Sequence, residues 1–365
     1  MTARSSGKPP TLATFVEETW APLARRRLAA KTCERDSIVY RRHVLPALGQ
    51  RPIAAIDVED LVEWQDGLER AGVGAPTIVK AIGILSSIFG EAARRPRSTG
   101  VTGNPVALLA KPRARRRRQP LVWGPVVVER VRCELLVNSS RIGPLRPLAA
   151  MRDALLVSLM AMTGCRPGEA LALRWSDLEG RVSIARRLSG TEILAGTKAG
   201  GERTAPLLEP LRDDLVAMRR LSGDAAEDYL FRTRTGRHWV ETDWRNYRRR
   251  HFAPALERVE VGWGRWRQGL STPSAVRESV AGLASTRPYD LGRHTHSALM
   301  LASGMSLQRL ARIQGHGIRV LDETYSEQLA EFEDRDERID PVSEIERARR
   351  LVWEARSPTG RGAPP

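Results

Sequence analysis

The chain has 365 residues, too many for one compact core and enough for two domains. Hydrophobic residues make up 41% and charged residues 28%, an ordinary globular composition. No eighteen-residue apolar run interrupts it, so no membrane-spanning helix is expected. Lysine and arginine outnumber aspartate and glutamate by 59 to 43, and a net charge of +16 attracts polyanions, nucleic acid foremost.

Met1 to Pro10 carries no apolar segment of the secretory kind. The three cysteines, Cys33, Cys133 and Cys165, are scattered and lack a C-x-x-C pair. Neither a disulfide framework nor a structural zinc site is expected, and a reducing cytoplasm fits. Only five residues are lysine (Lys8, Lys31, Lys80, Lys111 and Lys198), so a lysine at a chemically apt position stands out.

From Thr11 to Arg95 the pattern is helical throughout. Thr14 to Glu17 reads as a capping box. Asp57 precedes Val58, Leu61, Val62 and Leu68, and Thr77 precedes Ile78, Ile82, Leu85 and Phe89. Spacings of three and four predict four amphipathic helices in a small bundle, residues 11–95. Residues 96–118 turn to Pro, Gly, Ser and Arg, and six of the eight residues Lys111 to Arg118 are basic. This run (Lys111, Arg113, Arg115, Arg116, Arg117, Arg118) reads as a linker lying against something negative.

A second domain is expected over 119–340. It opens with helices at Val126 to Leu136, behind Pro125, and at Leu148 to Met162. Strands follow at Arg181 to Ile184, Glu192 to Thr197 and Arg203 to Leu207, the last two forming a hairpin around Ala199 to Glu202. Residues 259–287 read as a long loop or insertion. A tail, 341–365, contains an amphipathic stretch with Ile345, Ala348, Leu351 and Val352 on one stripe, then a segment of disordered composition. The expected class is mainly α with a small antiparallel β hairpin or sheet.

Four constellations carry chemistry. In Thr163-Gly164-Cys165-Arg166-Pro167-Gly168-Glu169, Arg166 projects from a helix junction suited to a phosphate, and Glu169 one turn on can hold its guanidinium. Lys198 sits at the hairpin tip, ahead of Arg203. Asp290-Leu291-Gly292-Arg293-His294-Thr295 leads into an apolar helix. Gln314-Gly315-His316-Gly317 follows, and Tyr325 comes nine residues after His316.

Together these boxes resemble the tyrosine recombinase, or phage integrase, family. That family presents two arginines, a lysine, a His-x-x-Arg box, a Gly-His box and a C-terminal tyrosine in this order. Arg293 to His316 is 23 residues and His316 to Tyr325 is 9, in keeping with the resemblance. It implies a SAM-like core-DNA-binding domain at 11–95, an interdomain linker at 96–118 and a mixed α/β catalytic domain. One position departs from the pattern: counting back from Arg293, the box histidine is replaced by Asp290, or by Tyr289 if Gly292 is a one-residue insertion. Neither His294 nor His296 is in the register of the box.

The resemblance implies a site-specific recombinase acting on double-stranded DNA as a tetramer on paired sites, with the apolar stripe of the 341–365 tail docked on a neighbouring copy and an accessory directionality protein as a further partner. Arg166 and Arg293 would clamp the phosphate, because a guanidinium fork matches its oxygens. Lys198 would protonate the leaving 5′ oxygen, His316 would hydrogen-bond the phosphate, and Tyr325 would attack to leave a 3′-phosphotyrosyl bond. Glu169 would orient Arg166; Arg203 and the linker arginines would contact DNA. No metal or cofactor is expected. Alternatives are an integrase-derived DNA-binding protein with reduced catalysis and a type IB topoisomerase-like enzyme. Only ten residues precede Thr11, so no arm-binding domain is expected there, and the location would be the cytoplasm, on the nucleoid.

Overall fold

The computed structural model describes residues 9–112, 121–137, 146–197, 200–270, 278–333 and 338–355, the side chains of 146 and 326–333 excepted. The chain divides between Arg118 and Gln119 into two compact units.

In the first unit Thr11, rather than Thr14, caps the first helix. Its hydroxyl accepts from the Thr14 amide at 3.1 Å, one turn before the expected box. The chain continues through Leu12–Phe15, a π turn at Val16–Trp20, and Ala21–Arg27. Ala30–His43, Val58–Arg70 and Ala75–Ala93 complete the bundle. Asp57 and Asp60 cap each other's amides at 3.0 and 3.2 Å, starting the Val58 helix where the sequence suggests. The Ala75 helix begins before Thr77, because Pro76 fits the first turn, where no N–H is needed.

Ala75–Ala93 is long and apolar enough to cross a membrane by length and composition, a feature the sequence reading did not expect. Half of that stretch is buried inside the protein. Ile78, Ile82, Leu85, Ile88 and Phe89 join Leu12, Ile53 and Leu61 in the unit's core. Each buried side chain of this size contributes about 1.5–3 kcal/mol, and that burial accounts for the helix's composition.

The second unit is built around Arg146–Thr163. Ala154, Leu155, Leu156 and Leu159 on this helix have no exposed surface, so it is surrounded by protein. Pro125–Val137, Glu209–Ser222 and the segment Asp290–His294 pack on it. The sheet differs from the expected hairpin. Strands β1 (Arg181–Ile184), β2 (Arg186–Ser189), β3 (Glu192–Ala195) and β4 (Arg203–Pro206) form two antiparallel pairs, β1 with β4 and β2 with β3. The 192–197 and 203–207 segments are therefore not partners. Between them the Thr197 N–H donates to the Gly201 carbonyl at 3.2 Å.

Residues 259–287 are not one long loop. Ala253–Gln268 is a helix with Leu256, Val259 and Trp263 buried on one face; Gly262 and Gly264 obscure that spacing in the sequence. The helix Pro341–Glu354 corrects a second expectation, that its apolar stripe docks on a neighbouring copy. Ile345, Ala348 and Val352 are buried in this unit's own core, against Pro125–Val137 and Glu209–Ser222. Arg349 fastens it with ion pairs to Asp214 at 2.7 Å and Glu129 at 3.4 Å. The expected disorder of Ser357 to Pro365 lies outside the described residues.

Candidate active site

The buried helix Arg146–Thr163 stops at Gly164, whose φ of +65° is the left-handed conformation that glycine adopts without strain. A Cβ there would also sit 2.6 Å from His296 Cδ2 and 2.8 Å from Gln314 Nε2. Glycine is required twice over, by the turn and by what packs on it. Arg166 follows in extended conformation, and Pro167 opens the short helix Pro167–Ala170. The Arg166 amide does not point free toward a ligand as the junction suggests: it donates to Glu169 Oε2 at 2.8 Å.

Glu169 is 1% exposed and lies between two guanidinium groups. Its carboxylate accepts from Arg166 Nη1 at 3.1 Å, from Arg203 Nη1 at 3.0 Å, and from Arg203 Nη2. Burial would raise its pKa, but the hydrogen bonds and charges of Arg203 and Arg166 prevail and hold the carboxyl below its ordinary value. The sequence reading has Arg203 contacting DNA. Its side chain is instead 8% exposed and fully engaged inside the site.

The helix Leu307–Gln314 organises the cations. It ends at Gly315, φ +62°, and the carbonyls of its last turn lack helical partners. Three successive carbonyls each receive an arginine: Ile313 from Arg203 Nε at 2.8 Å, Gln314 from Arg293 Nη2, and Gly315 from Arg166 Nη2 at 3.2 Å. The negative end of the helix dipole favours positive charge there. Three side chains far apart in sequence are thus gathered on one helix terminus.

Arg293 is 1% exposed and also donates to the Gly164 carbonyl at 2.5 Å. Burial, with Arg166 nearby, lowers its pKa to about 10, so it stays charged at neutral pH. His316 follows the helix end. Burial and then the charges of Arg293 and Arg166 lower its pKa to about 3, making it a neutral imidazole. Its Nδ1 is buried and has no hydrogen-bond partner among the described residues.

Tyr325 lies on Ile318–Glu333, 2% exposed, with its hydroxyl 2.6 Å from His294 Nδ1. Burial pushes the phenol pKa well above its ordinary value; Ser297 and the Arg293 charge only partly offset this, and Tyr289 and Asp290 add to it. Arg293 and His294 belong to a π-helical segment, Asp290–His294. A π turn is how a helix absorbs one extra residue. Gly292 is suited to it, since a Cβ there would fall 2.5 Å from Met160 Cβ. With the extra residue absorbed, the Arg293 guanidinium carbon sits 5.9 Å from the Tyr289 ring centroid and His294 meets that ring edge-on at 5.5 Å. Tyr289 therefore occupies the face next to Arg293. Asp290 turns to Arg287, which it binds through both oxygens at 2.7 and 2.8 Å.

The structure thus gathers Arg166, Glu169, Arg293, His316 and Tyr325, and adds Arg203 and His294. Counted along an unbroken α-helix His294 lies outside the register of the box, and the π turn changes that register. Its signal in the sequence is a glycine inside a helical box. His296 is fully buried, its pKa lowered to about 3 by burial and by Arg293, and it packs under Gly164. Lys198 lies outside the described residues, as do Arg113 and Arg115 to Arg118; Lys111 is exposed in the first unit. Among the described residues no group of three or more His, Cys, Asp or Glu side chains is placed to hold a metal ion.

Residues 11–68 match the phage integrase N-terminal SAM-like domain, and residues 134–261 match the phage integrase family. The second match contains Arg166, Lys198 and Arg203 and ends before Arg293. Tyrosine recombinase XerC of Rhodospirillum centenum is 25% identical over 284 residues, 78% of this chain and 71% of that protein. Its namesake in Xanthomonas campestris pv. campestris is 26% identical over 217 residues, 58% of this chain and 60% of that one. The Tn1549 transposon integrase, solved with a circular intermediate DNA, shares the fold at TM-score 0.61 and 18% identity, covering 89% of this chain and 99% of its own. A lambda integrase tetramer on a Holliday junction does so at TM-score 0.60 and 17% identity, covering 92% and 82%. Two family matches on the two units, relatives named as tyrosine recombinases, and a shared fold agree: the chain belongs to the phage integrase, or tyrosine recombinase, family.

Proposed function

We propose that this chain is a site-specific DNA recombinase that cuts and rejoins double-stranded DNA through a covalent 3′-phosphotyrosyl intermediate. The observation that carries the reading is the row of arginines on the carbonyls of Ile313, Gln314 and Gly315, with Tyr325 within reach of the Arg293 charge. A phosphodiester repels nucleophiles, and its alkoxide leaves poorly. Arg166 and Arg293 neutralise the non-bridging oxygens, with the neutral imidazole of His316 hydrogen-bonding beside them. The Tyr325 oxygen attacks phosphorus, the bond to the 5′ oxygen breaks, and Lys198 supplies the proton that the alkoxide takes up. The linkage energy is kept in the phosphotyrosyl bond, so the reverse attack by a 5′ hydroxyl rejoins a strand.

Exchange between two duplexes calls for four active sites, and the lambda integrase tetramer is the relative on which a tetrameric assembly of this chain is proposed. The reaction belongs where the DNA is, on the nucleoid in the cytoplasm. The test is a library of duplexes, each nicked so that the released fragment bearing the 5′ hydroxyl diffuses away, incubated with the protein and screened for denaturation-resistant adducts. The wild-type chain should form adducts; Tyr325→Phe should retain DNA binding and form none. A binding protein without catalysis would form none in either case. Relaxation of supercoiled plasmid without strand exchange between two sites would favour a topoisomerase.

A further inference from the structure

Tyr325 must lose a proton to attack, and among the described residues no other member of the five-residue set expected from the sequence is in hydrogen-bond contact with its hydroxyl. At pH 7 an ordinary phenol is ionised to about one part in a thousand. Burial and the charges of Arg293 and Arg166 keep His316 a weak base, and the place of the box histidine holds Tyr289, itself a phenol. The imidazole in contact with the Tyr325 hydroxyl is that of His294.

We infer that His294 is the proton acceptor for Tyr325, with Asp290 holding the imidazole, and that the π turn at Asp290–His294 is what delivers it. This rests on the reading of Tyr325 as nucleophile. Nδ1 lies 2.6 Å from the hydroxyl, within direct transfer distance. If Nδ1 accepts, Nε2 carries the hydrogen, and Nε2 is the nitrogen that faces Asp290 Oδ1, 3.6 Å away. The carboxylate thus favours both the required tautomer and the imidazolium that forms. As the phosphotyrosyl bond forms, the phenol proton passes to His294 Nδ1; on rejoining, the imidazolium returns it to the departing phenolate.

The turn explains why this residue and not another. In an α-helix the neighbours of residue i are i+3 and i+4, whereas the π hydrogen bond spans i to i+5. His294 is five residues after Tyr289 and meets its ring edge-on. The histidine one residue past the arginine is thereby carried to the tyrosine, while Arg293 keeps its carbonyl partners. Groups facing His294 include Tyr289 and Asp290, the latter paired with Arg287, then Tyr325 on the following helix and His316 at the helix turn.

The experiment measures the rate of covalent adduct formation against pH, on a nicked duplex recovered with the wild-type protein. His294→Gln keeps a hydrogen-bonding side chain but cannot take the proton; His294→Ala leaves room for added imidazole. Both should shift DNA like wild type. Adduct formation at pH 7 should fall by about 10²-fold or more. The acid limb in the imidazole range should disappear, and free imidazole should restore the alanine variant in proportion to its concentration. Asp290→Asn should keep most of the rate with its acid limb moved to lower pH, since a carboxylate that favours imidazolium is gone. A glutamine variant with the wild-type rate and profile, while Tyr325→Phe makes no adduct, overturns this inference and leaves the nucleophile standing. So does a loss of rate that accompanies lost DNA binding and is not relieved by imidazole. Adduct formation by Tyr325→Phe overturns the nucleophile reading itself.

Discussion

Substituting Glu169→Gln tests how the arginines are held. The change is isosteric and removes one charge from a site that is 1% exposed. One amide oxygen can still accept the bonds made by a carboxylate oxygen, but the new NH₂ group faces guanidinium or amide donors. Arg166 and Arg203 then lose their shared counter-charge while remaining desolvated, Arg203 being the more buried at 8%. Removing one partner of a buried pair costs about 3–5 kcal/mol, and the retained oxygen places this case at the low end, ~3 kcal/mol. At ~2–4 °C per kcal/mol for a domain of this size, the melting temperature should drop roughly 6–12 °C at pH 7. The fold depresses the Glu169 pKa, so its contribution is fully present above the ordinary carboxylate value of ~4.3 and is lost as pH falls through the folded value. Thermal melts of the two proteins should therefore differ at pH 7 and converge in steps below pH 5. Equal melting temperatures at pH 7, or a gap that widens in acid, would refute the argument.

Two further predictions concern packing. Gly164→Ala should cost ~1–2 kcal/mol for left-handed backbone alone and more for the 2.6 Å approach to His296, whereas Gly180→Ala, at φ +70° with open space around it, should cost the backbone part only. Urea midpoints of the two variants measure the difference. Ile345→Ala, at a 4% exposed position, should destabilise by about 2–4 kcal/mol whatever the protein concentration. A loss that depends on concentration would place the stripe on a second copy instead.

The four boxes were legible because order and spacing survive in a linear string, and so did the helical bundle, whose apolar residues recur at three and four. What could not be read is tertiary. That Arg203 turns inward follows from Glu169, 34 residues earlier, and from a carbonyl at residue 313. Strand β2 begins Arg186-Arg187, which hides its alternation, and Gly262 with Gly264 hides a helix. Gly292 reads as an interruption until the backbone shows it absorbed in a π turn, and only then does His294 face Tyr325. The tail stripe is plain in the sequence, but its partner is a choice among surfaces, and the nearest uncovered one was its own Pro125–Val137 helix.

The proposed reaction turns on which tyrosine joins DNA. The chain has five: Tyr40, Tyr229, Tyr247, Tyr289 and Tyr325. Trypsin separates Tyr289 and Tyr325, because Arg293 and Arg319 lie between them. Nuclease and trypsin digestion of the covalent adduct, followed by mass spectrometry, would identify the peptide carrying the residual nucleotide. The peptide beginning at Val320, with Tyr325 as its modified residue, is the predicted result; a nucleotide on the peptide containing Tyr289, or on any other, would contradict it.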